Sequence, residues 1–181
     1  MVNSMSFDAV SGKGTDPTGY WNLSRVFDYS TDRQKQANLG PTPEGLYSIN
    51  KANFVDGQNE GGTQRFADQS YLRQAASSFG KGTWPGGTNS WGEYRWKLQN
   101  EGAETYGRDN FYLHGGSLWG SRGCIDCGAG INNFYNSFMS TNPQNTGKVY
   151  LQVKYAEDLK FEIQNKPTTF PMVSPTGQPI R

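Results

Sequence analysis

The chain has 181 residues, with 17 basic against 16 acidic side chains and a formal charge of +1. That length suits one domain with a substantial core, and the even charge balance excludes the basic footprint of a nucleic-acid binder. No apolar run approaches the roughly 18 residues of a membrane helix, so no membrane insertion is expected.

Hydrophobic residues make up only 34% of the chain, but aromatic residues reach 14% and glycines number 23. These values predict an aromatic-rich core and many turns, because each buried ring removes a large apolar area from water. Residues 1–19 are rich in Gly, Ser, Asp and Thr and read as a loose N-terminal segment. They lack the basic and apolar regions of a signal peptide. Residues 20–164 form the expected domain. Residues 165–181 are Pro-rich and read as an extended tail, packed on the domain or leaving it.

Within the domain, residues 20–30 are aromatic and β-favouring and predict a strand or two. Leu39-Gly40-Pro41-Thr42-Pro43-Glu44-Gly45 is a rigid turn, since two prolines fix φ and remove two donors. Residues 45–52 then read as a strand. Leu72, Ala75, Ala76 and Phe79 fall at helical spacing, with Gly80 at the position of a C-terminal cap, and predict one helix packed in an irregular insertion. Residues 91–98 alternate, with Tyr94, Trp96 and Leu98 on one face and Glu93, Arg95 and Lys97 on the other. Another strand is expected over residues 109–114, followed by a glycine-rich loop from Gly115 to Gly130. Ile131, Phe134, Tyr135, Phe138 and Met139 predict an amphipathic helix. Val149, Leu151, Val153 and Tyr155 make a strand, as do Leu159, Phe161 and Ile163. The fold class is mainly β, one sheet or sandwich domain with two short helices.

The single histidine, His114, and both cysteines, Cys124 and Cys127, lie in one segment. A strand ending at His114, a loop of small residues and Cys124 before a helix can bring imidazole and thiol together. The imidazole would take the thiol proton, the thiolate would attack, and the imidazolium would protonate the leaving amine. A helix starting shortly after the cysteine would lower its pKa. Gly115, Gly116 and Gly123 let substrate approach the backbone and leave N–H groups for an oxyanion. Ser121 would brace the turn or donate to the same oxygen. Cys124-Ile-Asp-Cys127 also spells C-x-x-C, yet the βαβ context of a redox centre is missing. Structural zinc needs four N or S ligands and the chain has one His and two Cys; a catalytic Cys₂His site is formally open but would consume the one good acid–base residue, and the expectation is no metal and no cofactor. Arg95 reads as part of a solvated strand face, although its planar fork could hold a carboxylate.

Leu113-His114-Gly115-Gly116, followed by Gly120-Ser121-Arg122-Gly123-Cys124-Ile125-Asp126, resembles the signature of the Tlde1 family of type VI secretion effectors, distant relatives of the YkuD-type L,D-transpeptidases. The proline turn, continued by Leu46-Tyr47, and Trp91-Gly92-Glu93-Tyr94-Arg95 also resemble family segments. The likeness spans about residues 39 to 139. Arg122 stands where YkuD enzymes often have histidine, and Asp126 where they often have Arg or Asn; both departures favour the effector branch. The resemblance implies a YkuD-like fold, Cys124 as nucleophile and His114 as base. Arg95, Arg122 and Asp126 are candidates for contact with substrate. It also implies a peptidoglycan tetrapeptide donor, with transfer of the acyl group to water (L,D-carboxypeptidase) or to a D-amino acid (exchange). Such a toxin would be made in the cytoplasm without a signal peptide, delivered by a secretion apparatus and active in a target cell's periplasm. It would act as a monomer and require a cognate immunity protein.

A second reading is a non-catalytic glycan- or peptidoglycan-binding module, with Trp84, Trp91, Trp96 and Trp119 stacking on sugar rings. Core packing is the competing role for the same four side chains.

Overall fold

A computed structural model describes residues 7–15, 25–54, 59–140, 147–155 and 160–163. Most period-two stretches become strands and the two helical patterns become helices, but the described residues hold four short helices and not the expected two: single-turn helices over Thr31–Gln34 and Gly87–Trp91 are too short to show a period, and the second takes Trp91 out of the strand expected over 91–98. In chain order the elements are β1 (Val10–Ser11), β2 (Arg25–Asp28), α1 (Thr31–Gln34), β3 (Gly45–Asn50), β4 (Thr63–Arg65), α2 (Tyr71–Ser78), α3 (Gly87–Trp91), β5 (Tyr94–Lys97), β6 (Gln99–Asn100), β7 (Tyr112–His114), β8 (Ile125–Asp126), α4 (Ile131–Ser140), β9 (Lys148–Val153) and β10 (Lys160–Ile163). The described residues form three sheets, ordered β1-β8-β7-β5-β4, β6-β3-β9 and β10-β2. The fold is mainly β.

One apolar core joins the two larger sheets to α4. Trp96 is fully buried among Tyr47, Ile49, Leu98, Leu113 and Val153. Phe134, Tyr135 and Phe138 of α4 lay their rings against it, with centroids 5.3, 6.4 and 5.7 Å away. The Ile131–Met139 periodicity therefore packs as the sequence predicts, apart from Met139, which is exposed.

Three expectations are corrected. Residues 7–15 are not a loose lead-in: β1 pairs antiparallel with β8, and Val10 is buried. Helix α2 forms where predicted, and Gly80 adopts the positive φ of a C-terminal cap, but only Ala75 and Ala76 of the expected apolar face are half-buried, and its large apolar residues point outward. Leu72 is 79% and Phe79 83% exposed, while Ser77 is buried. Backbone bonds hold this helix instead, with the Gly80 and Gly86 N–H groups donating to the Ser77 carbonyl. Finally, Arg95 is not solvated: only 5% of it is exposed. Period two places it opposite Trp96, but Trp84 and Trp91 lie over that second face. Residues 20–24, Leu159 and the tail 165–181 lie outside the described residues.

Candidate active site

The site is laid out by strand register. Gln64 pairs with Arg95, Arg95 with His114, and His114 with Asp126, so these four side chains form one row across β4, β5, β7 and β8. Registered partners share a sheet face, and so do residues two apart on one strand. Tyr112 on β7 therefore belongs to this face. Cys124, two residues before Asp126, extends β8 onto it, and the Tyr112 backbone N–H acts on the ionisation of its thiol. His114 and Cys124 are thus diagonal neighbours. Such neighbours stand roughly 7–8 Å apart at the backbone, within reach for side chains that turn toward each other. Among the described residues no hydrogen bond joins them at rest. A catalytic contact of this kind often tightens only when substrate binds.

His114 is 2% exposed, and its Nδ1 lies 2.7 Å from the Gly115 carbonyl oxygen. A carbonyl only accepts, so Nδ1 carries the proton and Nε2 the lone pair, the tautomer a general base needs. Nε2 has no hydrogen-bond partner among the described residues. The indole of Trp91 lies 4.9 Å from the imidazole, centroid to centroid.

Burial dominates the ionisation of both groups. It pushes the Cys124 thiol up to about 11, against the Tyr112 backbone N–H and the positive charges of Arg95 and Arg108. It also pulls His114 down to about 4, and Arg95 adds to that shift. At neutral pH the pair is a neutral thiol beside a neutral imidazole. The expected helix-lowered thiol is therefore corrected: α4 begins only at Ile131, and desolvation outweighs the favourable charges.

The peptide at Gly123–Cys124 is held from several sides. Ser121 Oγ donates to the Cys124 carbonyl at 2.8 Å and accepts from the Gly123 N–H at 3.3 Å, so this hydroxyl braces the turn. Thr42 Oγ1 donates to the Gly123 carbonyl at 2.6 Å, and Ser11 Oγ donates to the Cys124 carbonyl at 3.0 Å. Thr42 is itself fixed, its N–H donating to Ser11 Oγ and its carbonyl accepting from Tyr155 Oη. Arg108 donates to the carbonyls of Gln34, Gly40 and Pro41. The proline turn is thus a clamp on the cysteine's backbone. Gly123 sits at φ 126°, and a Cβ there would lie 2.4 Å from the Arg108 guanidinium.

Other expected roles change. The Gly115 and Gly116 N–H groups donate to the carbonyls of Trp91 and Gly128, so these glycines shape the site and do not serve as oxyanion donors. A Cβ on Gly115 would come within 2.3 Å of the Gly128 oxygen, which explains the need for glycine. Asp126, a candidate for substrate contact, is closed to solvent with both oxygens occupied at rest: they accept from Gly120 and Gly128 N–H, and burial raises its carboxyl to about 6. Arg122 is exposed on the loop. Cys127, three residues from Cys124 and so on the opposite face, packs with Leu113 and Ile131 in the core. Both cysteines are free. No three His, Cys, Asp or Glu side chains among the described residues converge as metal ligands. Trp84 and Trp96 are buried to 1% and 0% exposure, which removes two of the four rings from any sugar-stacking surface.

A cleft of about 320 Å³ lies elsewhere, lined by Ser48, Asn50, Glu101 and Lys148 among others. Its one cation is already engaged, with Lys148 Nζ 2.6 Å from Glu101, and Glu60, which also lines it, has no ion pair among the described residues. Comparison with family models, curated proteins and solved structures found no match.

Proposed function

We propose that this chain is a cysteine acyltransferase of the L,D-transpeptidase type, acting on peptidoglycan tetrapeptide stems. On this reading the two larger sheets and α4 constitute a YkuD-like domain. The observation that carries it is the shared face of β7 and β8: a thiol and an imidazole of the correct tautomer, diagonal to each other, with the thiol's peptide clamped by Thr42, Ser11 and Ser121.

His114 Nε2 takes the Cys124 proton as sulfur attacks the carbonyl carbon of the third stem residue. The imidazolium returns that proton to the amine of the departing D-Ala, leaving a thioester on Cys124. Water then attacks the thioester, giving a tripeptide, or a D-amino acid does, giving exchange. Because the resting pair is neutral, proton transfer accompanies attack and does not precede it.

Both outcomes remove donor stems from wall synthesis, which fits a toxin that acts in the periplasm of a neighbouring bacterium. The producer then needs an immunity protein, and a secretion apparatus delivers the enzyme. Mass spectrometry of wall fragments incubated with the protein tests the reading. Conversion of tetrapeptides to tripeptides or exchanged stems is expected; an unchanged profile would overturn it.

A further inference from the structure

Arg95 is a buried cation with no counter-charge among the described residues. Its Nε donates to Gln64 Oε1 at 2.8 Å and its Nη1 to the Thr83 carbonyl at 2.7 Å, both neutral acceptors. No carboxylate pairs with it among the described residues. Three rings surround it instead, with centroids 4.0 Å (Trp84), 4.6 Å (Trp91) and 4.8 Å (Tyr112) from Cζ. Ring faces attract a cation, but they do not replace the water that burial removes. Two donors near this charge remain open. Neither Arg95 Nη2 nor the Tyr112 hydroxyl has a hydrogen-bond partner among the described residues.

The order of the strands gives this charge a place in the reaction. β7 lies between β8 and β5, so His114 stands between Cys124 and Arg95. A peptide's C-terminus presents its groups in the matching order: the carbonyl carbon under attack, the leaving nitrogen, then the free carboxylate. With sulfur on the carbonyl and the imidazole on the nitrogen, the carboxylate falls on the β5 side, where the guanidinium waits.

We propose that Arg95, with the Tyr112 hydroxyl and the Trp84–Trp91 walls, is the receptor for the C-terminal carboxylate of the leaving residue. This rests on the acyl-transfer reading above. The site thereby selects stems that end at the scissile residue, and the same receptor seats the carboxylate of an incoming D-amino acid. A planar fork with one open prong and a hydroxyl beside it matches the two oxygens of a carboxylate.

The test compares a tetrapeptide bearing a free C-terminal carboxylate with its C-terminal amide. Hydrogen bonds between charged groups predict that the wild type prefers the acid by about 10-fold to 10²-fold in kcat/KM. Arg95→Gln should bring the acid-to-amide ratio near one, and Arg95→Lys should restore part of it. A wild type that cleaves the amide as fast as the acid overturns the proposal, as does an Arg95→Gln variant that keeps the preference. A second measurement needs neither variant nor turnover: tryptophan fluorescence of the wild type titrated with N-acetyl-D-alanine and with N-acetyl-D-alanine amide. A saturable response to the acid alone supports the receptor; equal responses, or none, overturn it. Acid-selective binding without stem cleavage would sink the acyl-transfer reading and leave the receptor standing. Cleavage without acid preference would do the reverse.

Discussion

Removing one hydroxyl, in Thr42→Val, tests whether the proline turn governs the nucleophile. Valine preserves the shape of this fully buried side chain. Ser11 Oγ still accepts from residue 42's N–H and donates to the Cys124 carbonyl. The principal loss is the 2.6 Å bond to the Gly123 carbonyl, whose oxygen is left facing a methyl group. An orphaned buried acceptor costs about 1–3 kcal/mol. At about 2 kcal/mol, a chain of this size should lose about 4–8 °C in Tm. The freed Gly123–Cys124 peptide should also misplace the sulfur and lower kcat about 10-fold or more, since small displacements of reacting groups are expensive. Differential scanning calorimetry and D-Ala release measure the two effects. Thr42→Ser, which keeps the hydroxyl, should retain most of both properties. A valine variant with unchanged Tm and unchanged turnover would refute the clamp.

The ionisation of His114 gives two further outcomes. Because only the neutral imidazole is a base, kcat/KM should rise through an acid limb near pH 4, and His114→Ala should cost on the order of 10²–10⁴ in rate. A limb near the ordinary histidine value of 6.5 would contradict the buried geometry. Stability carries the same signature. The unfolded chain binds the His114 proton between pH 6.5 and 4 while the folded chain does not, so stability falls as pH drops through that window. Asp126, raised to about 6, opposes this, because the folded chain holds its proton where the unfolded chain does not. His114→Gln removes only the first contribution. As pH falls from 6 to 4 the variant should gain roughly 1.4 kcal/mol per pH unit relative to wild type in chemical denaturation; parallel curves would contradict this. Cys127→Ser should keep most activity, since that sulfur packs in the core away from the reacting face. Inactivation equal to that of Cys124→Ala, in a variant that remains folded, would revive a joint role for the two cysteines.

The parts of the fold legible in the sequence are those with strong local periodicity. Strand β3, strand β9 and helix α4 each carry enough aromatic or aliphatic pattern to identify themselves. Strand β8 does not: two residues inside a glycine-rich loop have no period to read, yet their parallel pairing with β7 sets the relation of Cys124 to His114. The same limit explains Arg95. Alternation correctly places it opposite Trp96, but only long-range packing of residues 84–91 decides that this face is covered. At the site, His114 and Cys124 stand out because the chain offers so few alternatives. The proline turn was legible as a turn but not as a clamp, since Thr42 meets Gly123 across 81 residues. Arg108 has no local signal, as its partners are backbone carbonyls more than 60 residues away.

The central claim is acyl transfer from Cys124 with His114 as its base, and release of D-Ala from a purified tetrapeptide stem tests it most directly. Wild-type protein should release D-Ala and leave the tripeptide or an exchanged product. Cys124→Ala, shown by circular dichroism to be folded, should release none. No release by the wild type, or release by Cys124→Ala at a comparable rate, would contradict the account.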